Sequence, residues 1–128
     1  MAAQQNILLV TARSSQLKEF TQVFGKDRNM AVVQVENVRD AITTVKEIRP
    51  VLAIVDDQIG GAVGLDIIRR LLQENAFIQT AAISDLSDDE FHVRSEGLGV
   101  LSKLPLVPTA VDADKLIEQL EQVSPGIT

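Results

Sequence analysis

The stretch RPVLAIVDDQIGG, residues 49–61, decides how this chain reads. An apolar run from Val51 to Val55 leads without a polar break into Asp56 and Asp57, and then into Gly60 and Gly61. A short continuous apolar run bounded by turn residues is the pattern of a strand buried on both faces. Such a strand delivers a carboxylate, Asp56, to its end, and the groups that meet Asp56 there set its chemistry.

Four further runs share the pattern: NILLV (6–10), MAVVQV (30–35), FIQTAAI (77–83) and GVLS (99–102). Between them lie segments of helical period. Leu17, Phe20, Val23 and Phe24 make a first stripe ending at Gly25, with Ser14 or Ser15 as its N-cap. Val38, Ala41, Ile42, Val45 and Ile48 make a second, opened by Asn37 and closed before Pro50. Ile67, Ile68, Leu71 and Leu72 make a third, and Leu116, Ile117, Leu120 and Val123 a fifth. The fourth opens with the capping-box spacing of Ser87 and Glu90 but offers only Phe91 and Val93 before Leu98, which predicts a short, loosely packed helix. Strands alternating with helices predict a doubly wound α/β sandwich with a parallel sheet. In such folds the site lies at the carboxyl ends of the strands.

Composition narrows the function. The 128 residues carry a formal charge of −6 with no basic run, which argues against direct nucleic-acid binding. No apolar stretch approaches the ~18 residues of a membrane span, and no signal peptide opens the chain. There is no cysteine, so disulfide and thiol chemistry are excluded; a reducing, cytoplasmic setting is expected. His92, the one histidine, sits on a polar segment and reads as a surface residue.

The predicted strand ends present Thr11 to Arg13, Asp56 to Gln58, Ser84 with Asp85, and Lys103. A carboxylate, a hydroxyl and an ammonium converging at one sheet edge suit phosphoryl chemistry: one attacks phosphorus and the others hold its oxygens.

In its order of motifs the chain resembles the receiver domain of bacterial response regulators. RPVLAIVD resembles the family's third strand, with the phosphoacceptor falling on Asp56; Gly64 matches the glycine before the third helix. AAISD puts Ser84 at the switch hydroxyl position, and GLGVLSKLP puts Lys103 at the family's lysine. The resemblance implies a flavodoxin-like (βα)5 three-layer sandwich with a five-stranded parallel sheet in the order 2-1-3-4-5. It implies one receiver-like domain over residues 1–128, with 1–5 and 124–128 as flexible ends. It also implies a non-enzymatic signalling role, with a histidine kinase or an output protein as partner.

Departures from the family pattern cluster at the site. The two acidic residues that end the family's first strand and hold Mg²⁺ are replaced by Thr11 and Ala12. Mg²⁺ takes hard oxygen ligands, so its binding is expected to be weakened and phosphoryl transfer with it. Asp57 and Asp85 are the acids near enough in sequence to compensate, although strand alternation would turn Asp57 away from Asp56. Asp85 otherwise pairs with Lys103 or caps a turn. The switch aromatic position falls on Val100, and Leu104 separates Lys103 from Pro105.

Three functions are compatible with these residues. One is an atypical receiver that signals by protein contact, through a surface of Phe91, Val93, Leu101, Leu106, Val107 and Lys115, with the 87–123 region also available for a homodimer contact. Another is a conventional receiver phosphorylated on Asp56 with a rebuilt metal site. The third is a small phosphate-ligand binder using Thr11 to Ser15, because helix N-termini and hydroxyl-rich loops bind phosphate.

Overall fold

The computed structural model describes residues 4–125. Five strands, β1 (Asn6–Val10), β2 (Ala31–Val35), β3 (Leu52–Val55), β4 (Gln79–Ile83) and β5 (Ser102–Leu104), form one sheet. Its order is β2-β1-β3-β4-β5 and every pairing is parallel, as the alternation of elements predicts. β1 lies between β2 and β3, with Ile7 opposite both Val32 and Leu52.

Period-two alternation splits the core into two layers. Ile7 and Leu9 face one side, with Phe20, Phe24, Leu116, Ile117 and Leu120; Leu8 and Val10 face the other, with Val45, Ile67, Ile68 and Leu71. The first layer is closed by α1 (Lys18–Gln22) and α5 (Ala110–Val123), the second by α2 (Val38–Ile48) and α3 (Gly64–Glu74). Phe20 and Phe24 meet edge to face at 5.2 Å, the one ring pair among the described residues.

The helix ends follow local chemistry. Asn37 caps α2 by accepting the Asp40 amide at 2.8 Å, and α2 stops at a left-handed Arg49 before Pro50. α4 (Asp88–Arg94) is a short helix whose sole buried residue is Phe91, in line with its weak apolar stripe. Ser87 caps it by accepting the Glu90 amide.

Several boundaries differ from expectation. The first helix opens as a 3-10 turn over Ser14–Leu17 whose N-cap is Arg13, not a serine, and no side chain caps it. It also runs past Gly25, as a π turn over Val23–Asp27. β5 begins at Ser102 rather than Gly99, which sits at φ +63°, outside the extended region a strand needs. α5 starts with a Thr109–Asp112 capping box that the apolar stripe did not reveal. The described residues include parts of the terminal segments expected to be flexible; residues 1–3 and 126–128 lie outside them.

Beyond Asp57 the chain forms a small hairpin, Gln58–Ile59 against Ala62–Val63. Gly60 and Gly61, at φ +55° and +84°, turn it, a conformation that glycine adopts without steric cost. The hairpin leads into Gly64, where a Cβ would collide with the Asp56 carbonyl oxygen; Gly64 N–H donates to Asp57 O at 2.8 Å. The glycine therefore lets the start of α3 close over the end of β3.

Candidate functional site

β3 ends at Val55, and the next residue enters the space between the ends of β1 and β4. Asp56 is held there by its backbone, whose N–H donates to Val10 O at 2.9 Å, and its side chain is 5% exposed. A carboxylate so withdrawn from water needs compensation.

Compensation comes from the β1–α1 connection. Arg13 Nε donates to Asp56 Oδ2 at 2.8 Å and Arg13 Nη2 to Asp56 Oδ1 at 2.9 Å. Thr11 Oγ1 donates to Oδ2 at 2.7 Å, and the Asp57 amide donates to Oδ1 at 2.8 Å. With these bonds each carboxylate oxygen accepts twice, which fills the ordinary acceptor capacity of the group. The guanidinium is bidentate, the strongest geometry for such a pair.

The arrangement organises its own supports. Thr11 is fully buried and its hydroxyl also accepts from Arg13 N–H at 3.1 Å, which folds the chain back toward Asp56. Arg13 Nη1 reaches Gln16 Oε1, and Nη2 additionally donates to Leu106 O, in the segment joining β5 to α5. Burial alone would raise the Asp56 pKa. Hydrogen bonds from Arg13, Thr11 and the Asp57 amide, with the Arg13 charge, outweigh it and hold the group below its usual range. Arg13 is raised by its hydrogen bond to Asp56 and by the nearby carboxylates, against the opposing effect of burial.

Asp57 is different. Its carboxylate makes no hydrogen bond or ion pair among the described residues. It follows the end of β3 and borders a cavity of about 370 Å³ together with Ala12, Arg13 and Asp56. It also borders a smaller cavity of about 200 Å³ with Ser84, Asp85 and Arg94. Burial, then the charges of Asp85 and Asp56, raise the Asp57 pKa; Arg13 offsets this in part.

The remaining expected site residues make no hydrogen bond or ion pair to Asp56 among the described residues. Ser84 is buried at the end of β4, where its Oγ accepts from Leu86 N–H at 3.1 Å. Lys103 Nζ pairs with Asp88 Oδ1 at 3.1 Å, so the expected Asp85–Lys103 pair does not form. Val100 is half-buried against the second core layer. The Leu104–Pro105 bond is trans. Within the surface expected to meet a partner, Val93, Leu106, Val107 and Lys115 are exposed, Leu101 is half-buried, and Phe91 is buried in the core. Phe91 therefore fastens α4 to the sheet and does not face outward. His92 is exposed.

The donor set does not fit Mg²⁺. Both oxygens of Asp56 are engaged by a cation that belongs to the chain, and Thr11 and Ala12 bring no carboxylate. No group of three or more acidic, histidine or cysteine side chains able to hold a metal occurs among the described residues. Phosphate binding at Thr11 to Ser15 is disfavoured too: Thr11 is buried, the guanidinium is occupied, and Ser14 opens only a 3-10 turn. Arg13, present in the sequence reading only as the end of the range Thr11 to Arg13, is the residue that meets Asp56. The signal was a basic residue two positions beyond Thr11, facing a buried acid that lacked its usual metal ligands.

The architecture is the CheY-like receiver fold, a flavodoxin-like α/β sandwich, and solved structures of that class superpose on most of the chain. A signal receiver domain from Vibrio parahaemolyticus matches with a TM-score of 0.79 at 21% identity, covering 94% of this chain and 92% of its own. A two-component response regulator of the LuxR family from an Aurantimonas species matches at 0.79 with 16% identity, over 98% of this chain and 93% of its own. A CheY-like response regulator receiver domain protein from Methanospirillum hungatei matches at 0.75 with 15% identity, over 94% and 99%. No family profile and no curated protein matches the sequence. No helix among the described residues is long and apolar enough to cross a membrane.

Proposed function

We propose that this chain is an atypical receiver module of two-component signalling, working through protein contacts without Mg²⁺-dependent phosphorylation of Asp56. The observation that carries this reading is the Arg13 fork on Asp56. A carboxylate attacking phosphorus needs a free oxygen and a cation that also neutralises the incoming phosphoryl group. Arg13 neutralises Asp56 but uses both of its oxygens, so the nucleophile is masked. Lys103, the group that would hold a phosphoryl oxygen, is engaged by Asp88 instead.

The partner in this reading is a protein, a kinase or an output protein, meeting the exposed Val93, Leu106, Val107 and Lys115. The role is non-enzymatic. The test is intact mass after incubation with acetyl phosphate, with and without Mg²⁺, beside an Asp56→Asn control. The expected result is no added phosphoryl group on folded protein. A gain requiring both Mg²⁺ and Asp56 would overturn the reading and establish a conventional switch.

A further inference from the structure

One side chain connects three parts of the fold: Arg13, on the β1–α1 connection, bonds to both oxygens of Asp56 at the end of β3 and to Leu106 O between β5 and α5. The bond to Leu106 spans 93 positions in sequence. Among the described residues it is the only hydrogen bond that residues 105–108 make. Pro105 and Pro108 have no N–H to give, Pro108 is buried, and Leu106 and Val107 stand 39% and 59% exposed between them. The segment is thus fastened at its ends, by β5 and by the Thr109 cap, and at one point in its middle.

That point depends on Asp56. Both Nη2 hydrogens are spent, one on Oδ1 and one on Leu106 O, while Nε is fixed on Oδ2. The carboxylate holds the plane of the guanidinium, and the plane aims Nη2 at the carbonyl. Without the carboxylate, only an exposed bond from Nη1 to Gln16 Oε1 is left to direct a long, rotatable group.

We infer that Arg13 is a positioning residue that couples the charge on Asp56 to the conformation of the β5–α5 connection, fixing Leu106 and Val107 in one arrangement by an internal ion pair. This rests on reading Arg13 as the resident cation of the site. It gives the module a standing conformation at the edge of its expected partner surface, independent of added metal.

The test is backbone ¹⁵N relaxation on the full chain. In the unaltered protein the amides of Leu106 and Val107 are expected to have order parameters near the ~0.85 of rigid backbone. Arg13→Ala should drop them toward or below ~0.6, with β1 and α3 unchanged. Asp56→Asn should loosen the same two amides although Arg13 remains, which a merely local packing role of Arg13 would not produce. Arg13→Lys supplies charge without the fork and should also loosen them. Rigid Leu106 and Val107 amides in Arg13→Ala or in Asp56→Asn would overturn the coupling. So would mobile amides in the unaltered protein. Acetyl phosphate labelling of Asp56 would sink the proposed function instead, while the relaxation result, read on unlabelled protein, would still stand or fall by itself.

Discussion

Arg13 covers both oxygens of Asp56, donating from Nε at 2.8 Å and from Nη2 at 2.9 Å, while Asp56 is almost withdrawn from solvent. Removing one member of such a pair leaves the other charged and undercompensated. Arg13→Ala is expected to cost about 2–3 kcal/mol, less than a fully buried pair because the Arg13 side chain is 24% exposed. Arg13→Ala with Asp56→Asn should recover about 1 kcal/mol or more of the summed single losses. Urea unfolding of the four proteins measures this, and strict additivity would show that the pair contributes nothing of its own.

Acid should weaken the same contact. The folded-state pKa of Asp56 is depressed, so its stabilisation is complete above the unfolded value of about 3.9 and is lost as pH falls through the folded value. Urea midpoints followed down from neutral pH should therefore decline steeply below about pH 4 in the unaltered protein. Asp56→Asn should show a shallower decline. Parallel curves would mean that Asp56 titrates alike in both states.

Most of the fold was legible because its signals are periodic. The strand run from Val51 to Val55, the alternation of Ile7 and Leu9 with Leu8 and Val10, and the stripe from Leu116 to Leu120 each declare a face by spacing alone. Asp56 and Ser84 were placed at strand ends by the same means, whereas Lys103, expected just after the fifth strand, lies within β5. What spacing could not show is how side chains choose partners once there. Lys103 turned to Asp88 rather than Asp85, and Arg13 folded back over Asp56 because a buried acid draws the nearest flexible cation. Phe91 was counted with the partner surface that the resemblance implies, whereas a helix with one large apolar residue must bury that residue to be held at all. The shift of β5 goes with the positive φ of Gly99, which no hydrophobic pattern encodes.

Asp57 supplies a prediction of opposite sign. Its pKa is raised by burial and by the Asp85 and Asp56 charges, so its ionised form costs folded-state stability above the folded pKa. Asp57→Asn should stabilise the protein at pH 7, by up to about 1 kcal/mol for a partly exposed group. The gain should fade in acid, below the unfolded pKa, where both forms are neutral. Thermal unfolding at pH 7 and at about pH 3 checks it; destabilisation at pH 7 would mean that the carboxylate makes a favourable contact.

Gly64→Ala tests the closure of α3 over β3. The added methyl would meet the Asp56 carbonyl oxygen, and the carbonyl belongs to a residue whose N–H is already tied to Val10 O. Overpacking at a point that cannot yield is expected to cost about 1–3 kcal/mol. The Arg13 Nε–H resonance should move as well, because the start of α3 cannot back away without shifting the Asp56 carboxylate. A neutral substitution with an unmoved resonance would show that the hairpin absorbs the change.

The last prediction exchanges the internal cation for an external one. Ala12 is exposed and borders the cavity of about 370 Å³ that holds Asp56 and Asp57, so Ala12→Asp places a further carboxylate at its wall. Arg13→Ala in the same chain frees one acceptor site on each oxygen of Asp56, the other staying with Thr11 and the Asp57 amide. Three carboxylates around one cavity form a hard-oxygen set of the kind Mg²⁺ takes. A ligand that binds only the folded state stabilises it by RT ln(1 + [L]/Kd), about 2.7 kcal/mol at a hundred times Kd. The double variant should therefore gain thermal stability with added Mg²⁺, and lose the gain when Asp56→Asn is introduced. The unaltered protein should show none, because Mg²⁺ would have to displace a bidentate guanidinium. An equal Mg²⁺ response in the unaltered protein would mean that the Arg13 fork opens readily, and the masking of Asp56 would fall with it.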